Sequence, residues 1–214
     1  MQFHNLARKI QRNFVDYGLS VTLKKGVLYP FSALFESRVY RIYSINLEAL
    51  DDFECKNNNF SYKFIGIKHI EIIRQIELME EWLKGQVQER LEGKGICLVA
   101  LDKERVAGFN LVSFGEIFIP LLTLTKVLPD NEAWSDQITV HHNYRRRGLA
   151  SNLRFRIFRE LKAKGITKLY GGALKSNIAS LKLARRTGFR EVSDIHYLKI
   201  FGFKKWKTIE LNLN

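Results

Sequence analysis

His142-Asn143-Tyr144-Arg145-Arg146-Arg147-Gly148-Leu149-Ala150 is the stretch on which the reading of this chain turns. It follows the strand-like run Gln137-Ile138-Thr139-Val140. It opens a helical stripe of Leu149, Leu153, Ile157 and Leu161, which Gly165 ends. A glycine at a strand-to-helix junction has no side chain to keep a ligand off, so backbone N–H groups can approach a pyrophosphate closely. The three arginines add positive charge around the same point. The stretch predicts a phosphate-bearing ligand seated on a strand–turn–helix unit.

A second stretch, Asn177-Ile178-Ala179-Ser180-Leu181-Lys182-Leu183-Ala184-Arg185-Arg186-Thr187-Gly188-Phe189, reads as a capped helix. Asn177 or Ser176 suits its N-terminal cap, and Ile178, Leu181 and Ala184 recur at helical spacing. Gly188 suits the left-handed position that ends a helix. One helix and one strand separate the two stretches. Taken in order, Arg145-x-x-Gly148-x-Ala150 and the Asn177–Phe189 segment resemble the acyl-CoA loop and the later helix of the GNAT superfamily of N-acyltransferases, over about residues 62–200.

The resemblance implies an α/β (α+β) fold with a central twisted, mostly antiparallel mixed sheet flanked by helices. It implies acetyl-CoA or another acyl-CoA as cosubstrate and the amine of a small molecule as acceptor, with an amino sugar suggested by analogy. Backbone groups of Ile138, Thr139 and Val140 would then bind the pantetheine arm and the acyl carbonyl. Arg145, Arg146, Arg147, Gly148, Leu149 and Ala150 would hold the pyrophosphate, and Asn177 would contact the cofactor arm. Where family members carry a tyrosine that protonates the departing thiolate, this chain has Ala184. Tyr197, Tyr170 or water must serve instead.

Acyl transfer to an amine needs a base, and a carboxylate or histidine supplies one. Asp136 is the first candidate, on the strand before the basic turn. Strand alternation would put Trp134, Asp136 and Ile138 on one face. Glu116, expected in a loop after a strand, is the second. His141 and His142 read as structural or solvent-facing, pointing to opposite sides of an extended chain.

Length allows one large domain or a domain with an extension: residues 1–60 as an N-terminal extension and 61–214 as the catalytic domain. Hydrophobic content of 46% and three prolines among 214 residues argue against disorder. No run of apolar residues is long enough for a membrane span, and the start lacks a secretory core. Cys55 and Cys97 form no metal pattern or disulfide framework, so a reducing cytoplasm is the simplest compartment and no metal is expected. Cys97 reads as a buried strand residue.

The net charge of +13 is lopsided: residues 141–214 carry 18 Lys/Arg against 4 Asp/Glu, and residues 1–140 carry 17 against 18. A basic half suits a polyanionic cosubstrate or an acidic acyl-carrier protein as donor. No nucleic-acid-binding motif is visible. A non-catalytic CoA-binding sensor is the alternative from another class. Residues 2–17 form a basic amphipathic pattern, read as a helix packed on the domain or on a second subunit of a homodimer. One short helix of that kind makes only weak peripheral contact with a membrane.

Elsewhere the pattern predicts strands at 39–45, 62–68, 96–101, 106–114, 134–140, 167–174, 189–192, 196–201 and 206–211. A helical run covers Ile72 to Leu91, broken at Gly85. The apolar segment Ile117–Val127 reads as an ordinary core strand, with a wall for an acyl chain as the alternative.

Overall fold

The computed structural model describes residues 35–50 and 59–211. The amphipathic pattern at 2–17 and Cys55 lie outside them. The described residues divide into a larger unit, 39–195 with 208–211, and a smaller one, 35–38 with 196–207. In chain order the elements are β1 (Phe35–Asn46), β2 (Ser61–Ile65), α1 (Ile70–Met79), α2 (Gln86–Glu92), β3 (Ile96–Asp102) and β4 (Arg105–Phe114). There follow β5 (Glu116–Ile119), β6 (Leu124–Val127), β7 (Glu132–Val140), α3 (Leu149–Ala163), β8 (Lys168–Leu174), α4 (Ile178–Arg186), β9 (Arg190–Ile200) and β10 (Phe203–Glu210).

One sheet runs in the order β10-β9-β1-β8-β7-β4-β3-β2. Pairing is antiparallel for β1–β8, β2–β3, β3–β4 and β4–β7, and parallel for β7–β8. This is the mixed, mostly antiparallel sheet flanked by helices that the sequence predicts. One face packs Ile73, Ile76, Leu83 and Val87, from α1 through α2, on Cys97, Val99, Phe109 and Leu111. The other packs Leu149, Leu153, Ile157 and Leu161 of α3 on Leu98, Ala100, Ala107 and Val112, and Leu181 and Ala184 of α4 belong to the same core. Helices cover both faces, so β3 and β4 are buried on both, and their sequences are near-continuous apolar runs rather than alternating ones.

Three elements depart from the sequence reading. The helical run from Ile72 ends at Met79, passes through a 3-10 turn at Glu81–Leu83, and resumes after Gly85, which has φ +77°. Ile117–Val127 is not a core strand. It folds as the two-stranded ribbon β5–β6, apart from the main sheet, because Pro120 lacks the N–H that a ladder needs and Thr123 takes φ +47° in the turn. The separate strands expected at 189–192 and 196–201 are one strand, β9. The polar Ser193-Asp194, which divides them in the sequence pattern, is buried.

Asp194 is neutralised there rather than exposed. Arg41 of β1 donates to both of its carboxylate oxygens, Nε to Oδ1 at 2.5 Å and Nη2 to Oδ2 at 2.7 Å, and Lys175 Nζ adds a bond at 3.1 Å. These bonds hold the Asp194 carboxyl down at about 2. The strand predicted at 39–45 is thereby tied to β9 on one side, while on the other it pairs with β8 from Tyr40↔Leu174 to Asn46↔Lys168.

Candidate active site

β7 and β8 begin as parallel partners and then separate. Their pairing runs from Glu132↔Lys168 to Ser135↔Gly171 and stops. Beyond it β7 stays with β4 as far as Val140, and β8 stays with β1 as far as Leu174. A gap opens between them, and on that side the backbone of Asp136–Val140 has no ladder partner among the described residues. A strand edge with free N–H and C=O groups pairs readily with an extended chain that carries amides. Ile138, Thr139 and Val140 lie on this edge.

At the head of the gap β7 carries a bulge. Leu111 pairs with Gln137 and Val112 with Ser135, so Asp136 is the extra residue. A bulge re-aims a side chain and resets the alternation that follows it. Asp136 accordingly turns to Ser113 of β4, whereas Ile138 packs into the core under α3. The expectation that Asp136 and Ile138 share a face fails for that reason.

Asp136 opens onto a cavity of about 460 Å³, bounded by Gln86, Glu89 and Arg90 of α2, Ser113, Phe114, β5 and Pro120. Its side chain is 4% exposed, with Arg90 Nε 3.3 Å from Oδ1. The Ser113 hydroxyl donates to Oδ2. Burial pushes the carboxyl up to about 6, against the downward pull of Arg90 and Ser113. Arg90 is held in turn by Gln86, through its carbonyl at 3.3 Å and its side-chain oxygen at 3.2 Å. Glu116 begins β5 and lines the same cavity, with Ile117, Phe118 and Pro120 beside it. Thus the two candidate bases meet at one cavity, with a wall from the apolar segment that the sequence pattern assigns to the core.

Tyr40 of β1 carried no signal in the sequence and becomes a candidate only in the structure, where the charge of Asp136 acts on it. Gly172 follows Gly171, the last β8 residue paired with β7. A Cβ on Gly172 would fall 2.2 Å from Tyr40 Cε1 and 3.0 Å from its hydroxyl oxygen. The Tyr40 ring therefore lies over bare β8 backbone. Burial, then the charges of Tyr43 and Asp136, push its hydroxyl upward, so it stays protonated. In a sequence, Tyr40 is one apolar position of an alternating strand.

The basic turn follows β7 directly. His142–Tyr144 make a 3-10 turn, Arg146 takes φ +65°, and Gly148 takes φ +74° as the N-cap of α3. Among the described residues nothing lies within 4 Å of a Cβ placed on Gly148, so the space over the first turn of α3 is open. Arg145, Arg146 and Arg147 are exposed around it, and Arg145 Nε donates to the Val140 carbonyl at 3.2 Å. The Leu149 side chain is buried in the core, which leaves its backbone at the helix start, and Ala150 follows it. Open amides at a helix N-terminus beside three arginines fit a diphosphate.

Asn177 caps α4 by accepting from Ser180 N at 3.2 Å. His141 and His142 do not point apart: the chain turns at His142, and their rings lie 4.1 Å from each other. Burial, then His142 and Arg145, hold His141 below the usual imidazole range. Of the tyrosines named from the sequence, Tyr170 donates to Glu132 at 3.2 Å. Tyr197 is buried in the smaller unit, its ring 5.9 Å from that of Trp206. Ala184 sits in the core beneath α4. Among the described residues no group of three His, Cys, Asp or Glu is placed to hold a metal ion, and no helix is long and apolar enough to cross a membrane.

The Acetyltransferase (GNAT) family matches residues 66–189. No curated protein matches the chain. A GCN5-related N-acetyltransferase from Sphaerobacter thermophilus is similar in structure, with TM-score 0.55 at 14% identity, over 93% of this chain and 59% of that one. A putative GNAT acetyltransferase from Novosphingobium aromaticivorans gives 0.54 at 15%, over 76% and 65%. AAC(6')-Iy, in complex with the bisubstrate analog CoA-S-monomethyl-acetylneamine, gives 0.50 at 18%, over 63% and 92%. At these identities the likeness is one of fold. The family match covers more than half of the chain and contains the strand gap, the bulge and the basic turn, so this protein belongs to the GNAT family of acetyltransferases.

Proposed function

We propose that this protein transfers an acyl group, acetyl foremost, from acyl-CoA to the amine of a small molecule held in the Asp136 cavity. The observation that carries this reading is Asp136 itself, set on the bulge at the head of the β7–β8 gap with its carboxyl tuned to about 6. A base poised near neutral pH is deprotonated when needed and still accepts a proton readily. In this reading the diphosphate lies on the open amides around Gly148, flanked by Arg145–Arg147. The pantetheine arm runs along the free edge Ile138–Val140.

The amine nitrogen attacks the thioester carbon. The C–N bond forms, the C–S bond breaks, and the amine proton passes to Asp136. Tyr40 donates its proton to the departing thiolate and recovers one from Asp136, so the site returns to its starting state. Tyr40 thus takes the role that the resemblance leaves vacant at Ala184. Glu116 and Glu89 at the cavity wall favour a cationic acceptor. Phe114 and Phe118 line the cavity, and aromatic residues suit the apolar side of a sugar, which favours an amino sugar; the volume is that of a small-ligand site.

The test is thiol release from acetyl-CoA over a panel of amino sugars and other amines. Asp136→Asn should lower kcat by about 10²- to 10⁴-fold with acetyl-CoA binding retained. Tight CoA binding with no turnover of any amine would make the protein a CoA sensor instead.

A further inference from the structure

In the smaller unit, β9 and β10 form a hairpin whose two-residue turn is Phe201-Gly202. Both residues have positive φ, 48° and 88°. This is the primed turn that suits tight hairpins, and its first position favours Asn, Asp or Gly. A phenylalanine there is strained, since a bulky side chain tolerates the left-handed region poorly. Phe201 gains no burial in return: it is 72% exposed, and Phe203 beyond the turn is 84% exposed. A residue that is locally unfavourable and also unburied serves something other than the fold.

The surroundings say what that is. Ile200 and Trp206 are also exposed. Lys199, Lys204, Lys205 and Lys207 lie among them, and residues 196–207 contain no Asp or Glu. We infer that this hairpin docks on an anionic lipid surface. Exposed phenylalanines at a tip enter the headgroup boundary, tryptophan settles at the interface, and lysines extend to anionic headgroups. Pairing of β10 with a second copy of itself would bring these lysines against one another, which opposes that occupant. A nucleic-acid strand would use stacking but leave Ile200 without a role, and the cations here are all lysine, without the arginine forks that grip phosphate in two places. The inference is independent of the acyl-transfer reading.

The experiment uses the full chain with vesicles of phosphatidylcholine, with and without phosphatidylglycerol, read by co-sedimentation. Binding should require phosphatidylglycerol and weaken with salt. Phe201→Asn should weaken it about tenfold, by loss of the inserted ring, while Tm stays level or rises because the turn is relieved. Lys204→Ser and Lys205→Ser should each cost about fivefold. Equal binding to pure phosphatidylcholine, unchanged binding by Phe201→Asn, or a fall in Tm for that variant would overturn the inference. So would preferential binding of a DNA or RNA oligonucleotide that displaces the vesicles.

Discussion

Replacing Arg90 with glutamine should raise the pKa of Asp136, and the size of the shift follows from one distance. Arg90 Nε lies 3.3 Å from Asp136 Oδ1. At that separation a unit charge pair is worth about 5 kcal/mol at an effective dielectric constant near 20 and about 1 kcal/mol in bulk water. These limits correspond to about 4 and about 1 pKa units. Asp136 is 4% exposed, which favours the upper end, but glutamine can still donate a hydrogen bond to the carboxylate, which lowers it. From about 6 in the parent protein, the carboxyl should move up by about one to three units.

Carboxyl ¹³C NMR of the full chain reads this directly, with the Asp136 signal identified by its loss in Asp136→Asn. In turnover assays at saturating amine, the acid limb of kcat should move with it. Stability gives a second readout. The folded carboxyl holds its proton more tightly than the unfolded one, so its contribution is full below pH 3.8 and is lost as pH rises through about 6. By pH 7 that loss is about 3 kcal/mol, measured in urea against Asp136→Asn, and Arg90→Gln should deepen it. A pKa in Arg90→Gln equal to or below the parent value refutes the account of how this carboxyl is tuned.

Asp194 carries the opposite sign: its folded pKa of about 2 lies below 3.8, so its stabilisation of about 2 kcal/mol is present above pH 4 and disappears as pH falls through about 2. Urea unfolding at pH 7 and at pH 3 should show a narrower difference in Asp194→Asn than in the parent. Gly148→Val meets no described atom within 4 Å but must hold φ +74°, so it should cost about 1–2 kcal/mol in stability and raise KM for acetyl-CoA. An unchanged KM in steady-state kinetics would separate this turn from the cosubstrate. Gly172→Ala places a Cβ 2.2 Å from Tyr40 Cε1, so it should displace the ring and cost about 1–3 kcal/mol by thermal unfolding. Tyr40→Phe should keep Tm and lower kcat; equal kcat in that variant would remove Tyr40 from the proton path.

Local chemistry wrote much of this protein into its sequence. Gly148 and Gly188 sit at left-handed positions because the chain has to turn there, and the Asn177 cap and the Leu149–Leu161 stripe each involve residues within one helix. Such features show up as spacing, so the strand–turn–helix unit and the family resemblance are legible in the order of residues alone. What the spacing could not carry was the pairing of distant strands. The bulge at Asp136 exists only in the register of β7 against β4, and that register reverses the face on which Ile138 lies. Arg90 and Glu89 look like solvated helix charges until α2 is set against β4. Asp194 looks like a strand break until Arg41, on a strand 153 residues away, neutralises it. Tyr40 can lie over β8 only because that strand offers glycine at 172. Sequence determines which segments form and where the backbone must bend, since those energies depend on near neighbours. Burial, ion pairing and the tuning of a carboxylate depend on which distant segments exclude water together, and tertiary structure alone decided that.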